Sequence, residues 1–500
     1  MSKLTRLRPL GAMEQYSSSR NILHITGRVI NITRYRLPHS FPQISLKKHV
    51  TYSLIYLALR EDYLRVTVVD EDSSTPMFAS VSDLDIDDHL SWQTVPGHLG
   101  TYEETLFGPD GLIQAELDTN WPSDLSTVKP PWCVKVYSPD PSTEPETGRF
   151  IDVAFSAHHA VCDGISGRSF HAALVSALSR PVDSFEEQST KLCFPEPATV
   201  HGSQETLIEF RSSMPYFTRL LWSEFAPSWL QRKPAPTWTG PTIDIHRQMV
   251  SGFRLVKLPA QSTSRVLDKC RKHNTTLTAL LHTLVLKSLL GTVKKLQIPG
   301  AEVRACTAID LRRLLPPQIP RDTLGDYVTA LTHNFTSTDI ATLRGSDLES
   351  GTTSRSTSVD TLGEEVWKVS AAVKSDMNAQ MQSLPADNVA GLLSWVSDFR
   401  GRCHVKHGQQ RDETWELSNL GVMDAAIKPN VQLPTDNYFK LEQTVFTQSG
   451  MVMGPALGIS VAGVKGGIIS VSITWQRHDD VDIAAEEVTR DLASWLRDNK

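Results

Sequence analysis

The chain has 500 residues, 40% of them hydrophobic, with a formal net charge of −6 and a pI near 6.2. That length exceeds the roughly 250–300 residues at which a single core stops growing, so more than one folding unit is expected. The acidic balance excludes a nucleic-acid binder, because neutralising phosphates needs a basic face.

The first fifteen residues carry basic side chains but no apolar core, so no secretory signal is read there. Apolar runs within Asn21 to Arg36 and His49 to Asp70, among them Leu64-Arg65-Val66-Thr67-Val68-Val69, alternate as strands do. Ser53 to Leu59 fits a helix or a strand equally well. The acidic stretch Ser82 to His89 reads as a solvated loop or helix cap, and Trp132 to Tyr137 as a strand. Ser138 to Gly148 reads as a turn-rich connection.

Arg149 to Arg180 reads as strand, charged turn and helix. Ile151, Val153 and Phe155 alternate with smaller or polar residues, whereas Phe170, Leu174, Ala177 and Leu178 recur at helical spacing until Pro181. Between them stands His158-His159-Ala160-Val161-Cys162-Asp163-Gly164. Histidine takes up and releases a proton near neutral pH, and Gly164 permits a sharp turn or a close approach. A helix starting just beyond favours negative charge developing nearby. A single core histidine is a common structural feature, and His158 alone fits that reading. The whole string at a strand-to-helix junction points to chemistry.

From Arg180 to Pro241, prolines at 181, 195, 197, 215, 227, 234, 236 and 241 leave room only for helices at Glu205–Arg211 and Phe217–Glu224. This is the crossover between two halves. Its aromatics, Tyr216, Phe217, Trp222, Phe225, Trp229 and Trp238, either pack the crossover or line an acceptor pocket. The second half is expected to open with a strand, Phe253–Leu258, and helices Ser262–Lys272 and Thr276–Leu290. A strand Val303–Ile309 follows, then a mobile loop over 345–361, a helix Val366–Met381 and a strand Trp415–Leu420. Leu457–Val464 and Ile468–Trp475 flank Lys465-Gly466-Gly467 as a hairpin, and Ile483–Arg497 is an amphipathic helix. Its polar face is not basic, so docking on its own domain is expected rather than membrane attachment. The longest apolar run, Leu277–Leu290, is interrupted by His282, Thr283 and Lys287, so no membrane span is expected.

Cysteines 133, 162, 193, 270, 306 and 403 stand singly, which suits free thiols in a reducing, cytoplasmic setting. Neither HExxH nor a pair of CxxC motifs is present, so no metal site is expected. The sequons at Asn31, Asn274 and Asn334 read as chance in such a chain.

The HHxxxDG string resembles the acyltransferases of the chloramphenicol-acetyltransferase fold, which include plant BAHD enzymes, condensation domains and fungal alcohol acetyltransferases. Arg8-Pro9-Leu10-Gly11-Ala12-Met13-Glu14 is similar to the alcohol-acetyltransferase opening. Asp310-Leu311-Arg312, with Pro316-Pro317 and Leu324-Gly325-Asp326-Tyr327, resembles the D-x-R…P-P…G-N-Y element. Trp415-Glu416-Leu417-Ser418-Asn419-Leu420-Gly421 resembles the S-N-L-G strand. These motifs keep family order over nearly the whole chain. DFGWG is absent, which disfavours a plant-type enzyme, and Asp326 stands where the family has Asn.

The resemblance implies an α+β fold of two similar chloramphenicol-acetyltransferase-like subdomains with a tunnel at their interface. The expected division is 1–200, a crossover 201–250, and 251–500. It implies an acyl-CoA-dependent O-acyltransferase, most simply moving acetyl from acetyl-CoA to an alcohol or secondary-metabolite hydroxyl, with no bound cofactor and as a monomer. His159 matches the general base. His158, Asp163, Gly164 and Arg312 are structural at the site, Asp163 pairing with Arg312. Ser418, Asn419 or the Gly164 amide are candidate oxyanion or substrate donors; the alternative for the first two is local hydrogen bonding. No GxSxG elbow supplies a serine nucleophile. Two other functions remain open: amide formation, by N-acyl transfer or a condensation-type reaction, and an inactive binding member of the fold.

Overall fold

The computed structural model describes residues 4–38, 41, 45–122, 129–140, 149–180, 189–225, 238–295, 302–349, 358–424 and 439–496. In chain order the first strands are β1 (Leu4–Pro9), β2 (Val29–Arg36), β3 (Val66–Val69), β4 (Met77–Val81), β5 (Asp83–Asp85), β6 (Leu90–Val95), β7 (Trp132–Pro139), β8 (Phe150–Ala157) and β9 (Lys191–Cys193). The remainder are β10 (Ser251–Leu258), β11 (Val303–Asp310), β12 (Val328–Phe335), β13 (Trp415–Met423), β14 (Lys440–Gln448), β15 (Leu457–Val464) and β16 (Ile469–Gln476).

Two larger sheets define two α+β halves. The first has the order β14-β2-β8-β7-β6, and β8 at its centre is buried along its whole length. Its two-residue period reflects two covered faces. Ile151, Val153 and Phe155 enter the core beneath the helices Leu46–Ala58 and Gly164–Leu178, while Phe150 and Ala154 enter a second cluster with Tyr102 and Leu106. Asp152 on that second face is buried against Arg34 of β2, at 2.6 Å. The second sheet has the order β10-β16-β15-β13-β11-β12. Its core takes the fully buried stripe Leu280, Leu281, Leu284 and Val285 of helix Leu277–Lys295, and Val488, Leu492 and Trp495 of the terminal helix Asp479–Leu496.

Strand β14 belongs to the second half by sequence but pairs antiparallel with β2, Val445 opposite Ile32. A three-stranded sheet, β1-β4-β3, and the pair β5-β9 complete the strands among the described residues. No helix among those residues is long and apolar enough to cross a membrane.

Several expectations change. The stretch that fitted helix or strand equally is helical: Ser53–Ala58 lies within Leu46–Ala58 and Leu59 caps it, because Val50, Leu54, Leu57 and Ala58 share one buried face. Alternation before Val66 is a 3₁₀ turn, Asp62–Arg65, so β3 is short. Ser82–His89 is not plain surface: its acids Asp83, Asp87 and Asp88 are exposed, but β5 pairs with β9 and Leu84, Ile86 and His89 are buried. The helix at Glu205–Arg211 shrinks to Gln204–Leu207, since Arg211 bridges to Ala386 in extended form. The start of the loop at 345–361 is helical, in Ser337–Glu349, where Ile340 and Leu343 bury; 350–357 lies outside the described residues. So does 141–148 of the Ser138–Gly148 connection. β1, β4, β6, β12, β14 and the helices Ala12–Ile22, Leu99–Phe107 and Leu112–Leu117 were not read from the sequence.

Candidate active site

The helix Gly164–Leu178 starts where β8 has just ended, and the turn between them is built on Asp163. The carboxylate caps the helix, accepting from the Ser166 amide at 2.8 Å. Gly164 meets the second half so closely that a Cβ there would lie 2.8 Å from Leu420 and 2.9 Å from Phe446. Any larger residue would force the Leu420 and Phe446 side chains to give way.

Arg312, 1% exposed, grips Asp163 with two parallel hydrogen bonds, Nη1 to Oδ2 at 2.8 Å and Nη2 to Oδ1 at 2.9 Å. Its remaining donors reach Asp310 Oδ1, the Thr323 carbonyl, Ser166 Oγ and the Gly325 carbonyl. Asp163 Oδ2 also accepts from the Tyr327 amide at 3.1 Å. Burial pushes the Asp163 carboxyl up, but the guanidinium outweighs it and holds the group below its ordinary range. Asp163 thus faces Arg312 and the loop 323–327, away from the imidazoles.

The two histidines differ. His158 is 2% exposed and fully committed: the Ala160 amide donates to its Nδ1, so its Nε2–H donates to Glu71 Oε1, at 3.1 Å. Glu71 also accepts from Ser18 Oγ and Asn21 Nδ2 on the helix Ala12–Ile22. Burial raises the Glu71 carboxyl, and these hydrogen bonds more than offset that, leaving it lowered. His159 keeps 19% of its side-chain surface open, and its Nδ1 lies 3.5 Å from Oδ2 of the fully buried Asp326. Burial disfavours the imidazolium, Asp326 favours it and Arg20 opposes it; the balance is a raised histidine.

The S-N-L-G strand approaches from the second half. Asn419 Nδ2 donates to Thr278 Oγ1 at 2.9 Å, and its Oδ1 accepts from the Gly421 amide at 2.8 Å. Ser418, 8% exposed, stands between Ala308 and Ser460 in the sheet. Arg168 of the Gly164–Leu178 helix donates to the Leu420 carbonyl at 2.7 Å. Among the crossover aromatics, Trp238 packs in the second core, Phe217 stacks edge-on with Trp395, and Trp222 is exposed; Trp229 lies outside the described residues.

A cavity of about 400 Å³ lies behind the turn, between Arg60, Tyr63, Phe170, His201 and Thr323. A second, of about 250 Å³, lies beside Glu71, lined by Gln15, Ser19, Ser73, Asp398 and Arg400. Neither is lined by His159. Sequence reasoning missed Glu71, Ser17 and Arg20, which carry no motif; Asp326 was visible only as a departure from a pattern. No group among the described residues could hold a metal ion.

The two-half α+β molecule with a histidine-bearing turn where the halves meet is the arrangement that the sequence resemblance implied. The alcohol acetyltransferase family matches residues 120–492, and the chain belongs to that family; it is an acyltransferase. A probable alcohol acetyltransferase of Fusarium pseudograminearum is 26% identical over 98% of this chain and 94% of its own length. One of Aspergillus fumigatus is 21% identical over 93% and 94%. Among solved structures, a trichothecene 15-O-acetyltransferase from Fusarium sporotrichioides superposes with a TM-score of 0.61 at 14% identity, covering 99% of this chain and 95% of that one. The F. sporotrichioides TRI101 structure, complexed with coenzyme A and T-2, gives 0.54 at 11% identity, covering 96% of each. These likenesses extend the same two-subdomain fold across the whole chain.

Proposed function

We propose that this chain moves an acyl group, most simply acetyl, from a coenzyme A thioester to the hydroxyl of a small molecule, with His159 as general base. One observation carries the base assignment: of the two adjacent histidines, His158 is sealed and doubly hydrogen-bonded, while His159 stays partly open. The imidazole takes the hydroxyl proton as oxygen attacks the thioester carbon, then returns it to the departing thiolate. No covalent enzyme intermediate is needed, because the acceptor itself attacks. Asn419 has both ends of its amide engaged within the fold, which favours the Gly164 amide, at the N-terminus of its helix, as oxyanion donor. The thioester would approach along a tunnel between the halves, with most contacts to coenzyme A from the second.

The test is thiol release by purified protein from acetyl-CoA against a panel of alcohols and amines. Turnover with an alcohol, lost by roughly 10²–10⁴-fold in His159→Ala with folding unchanged, supports the reading. His158→Ala should cost mainly stability. Turnover only with amines or carrier-bound acyl groups, or no coenzyme A binding by calorimetry, would replace it.

A further inference from the structure

We infer that Asp326 is a positioning residue for His159, holding the imidazole in the tautomer protonated on Nδ1 so that Nε2 is left to accept the hydroxyl proton. This rests on His159 being the base.

The geometry converges on this pair from three sides. His159 Nδ1 is buried with no other hydrogen-bond partner, and Asp326 Oδ1 likewise has none. Asp326 is 1% exposed, and a carboxylate at such depth is costly unless a donor or a positive charge answers it. Ser17 Oγ donates to Oδ2 at 2.9 Å, leaving the imidazole 3.5 Å away as the ring able to become a charged partner. The other groups facing His159 are Arg20, on the same helix as Ser17, and its neighbour His158, already bound to Glu71. Burial and Arg20 oppose protonation, Asp326 and, more weakly, the carbonyl of His159 itself promote it, and the promoting side prevails.

Asp326 also cannot swing aside. The residues flanking it are clamped: the Gly325 carbonyl accepts from Ser166 Oγ, Arg312 and the Asp163 amide, and the Tyr327 amide donates to Asp163. A carboxylate offers acceptors only, so it demands an N–H from the nitrogen facing it. An amide there could present its NH₂ and stabilise the opposite tautomer. The 3.5 Å separation is longer than a charge-assisted hydrogen bond of roughly 2.7–2.9 Å, and it closes as the imidazolium forms. In the reaction the acceptor oxygen's electron pair makes the C–O bond and its proton goes to Nε2. The C–S pair leaves on sulfur, which takes the proton back. No proton is passed to Asp326 in this sequence.

The test compares the full-length wild type, Asp326→Asn and His159→Ala, using acetyl-CoA thiol release and NMR of ring-labelled histidines; the His159 signal is assigned by its loss in His159→Ala. In Asp326→Asn we expect kcat to fall about 10–100-fold with the KM for acetyl-CoA unchanged. The His159 titration and the acid limb of the rate profile should move down together by about one pH unit. An unmoved titration, or a neutral wild-type imidazole protonated on Nε2, overturns the proposal. If Asp326→Asn does not fold, the wild-type tautomer decides alone. Should His159→Ala keep its turnover, the base assignment falls, while the NMR result still judges the Asp326–His159 contact.

Discussion

Asp163 and Arg312, 149 residues apart in sequence, meet as a buried two-pronged ion pair that joins the turn of the first half to the loop of the second. The same guanidinium holds the Gly325 carbonyl, and the same carboxylate holds the Tyr327 amide. The pair therefore does not touch His159. It fixes the loop that carries Asp326, and Asp326 faces the imidazole.

Breaking that pair from either side strands a charge. Asp163→Asn and Arg312→Ala should each lower stability by about 3–5 kcal/mol. Asp310 stays beside the guanidinium in the first variant and softens that loss. The double mutant should lose much less than the sum, since the second change removes the group the first left unpaired. Urea denaturation of the four proteins measures the coupling. Strictly additive losses would contradict a shared energetic unit.

The residues that make this arrangement differ in how visible they were. The histidine string could be placed between strand and helix because period-two and helical spacings change across it. The helices Leu277–Lys295 and Asp479–Leu496 showed broad apolar stripes for the same reason, each covering one face of a sheet. The place of β14 in the first sheet was invisible because its pairing partner, β2, lies some four hundred residues earlier, as with Thr444 and Thr33, which are 411 apart. Glu71 was invisible because a carboxylate in Val69-Asp70-Glu71-Asp72 looks like any solvated charge. Only tertiary packing, which brings the helix Ala12–Ile22 over it, buries Glu71 against His158. Ser82–His89 misled in the same way, its acids outside and its Leu84 and Ile86 inside.

Gly325 adopts φ +138°, and a Cβ there would lie 2.4 Å from the Tyr327 ring. Gly325→Ala should therefore cost about 1–3 kcal/mol in backbone strain, with the ring contact adding to it. The strain falls on the residue before Asp326, so turnover should drop further than unfolding accounts for. Thiol-release rates measured well below the melting transition separate the two. Normal rates there would show that the loop tolerates displacement.

His171 offers a pH-dependence of known sign. It is fully buried, its Nε2–H donates to the Asn31 carbonyl and its Nδ1 accepts from Tyr35. Burial lowers its pKa from 6.5 to about 4. The unfolded chain then binds a proton that the folded one refuses, so stability falls as pH drops from about 6.5 towards 4. That depression corresponds to about 3 kcal/mol. His171→Gln removes the titration, and the wild-type minus variant stability should fall across that window. A difference that stays flat with pH would mean the imidazole is charged in the folded state.

The opening motif acts at a distance from the chemistry. Arg8 and Glu14 form a bidentate pair at 2.7 Å, and Glu14 Oε2 also accepts from the Gly11 amide at 2.6 Å, tying β1 to the first turn of the helix Ala12–Ile22. That helix presents Ser17 to Asp326, and Ser18 and Asn21 to Glu71, so it supports the carboxylates beside both histidines. Glu14 is 3% exposed, and Glu14→Ala leaves Arg8 without its carboxylate and the Gly11 amide without its acceptor. A loss of about 3 kcal/mol is expected. Turnover should fall as well, at temperatures where the protein is still folded, because the helix no longer holds Ser17 in register. Arg36 and Glu442 form a pair of similar geometry between β2 and β14, with side chains 23% and 33% exposed. Glu442→Ala should cost less than about 1 kcal/mol and leave turnover alone. Thermal melts and thiol-release rates on both variants decide the point: equal effects on rate would mean that the opening motif contributes stability and nothing to the site.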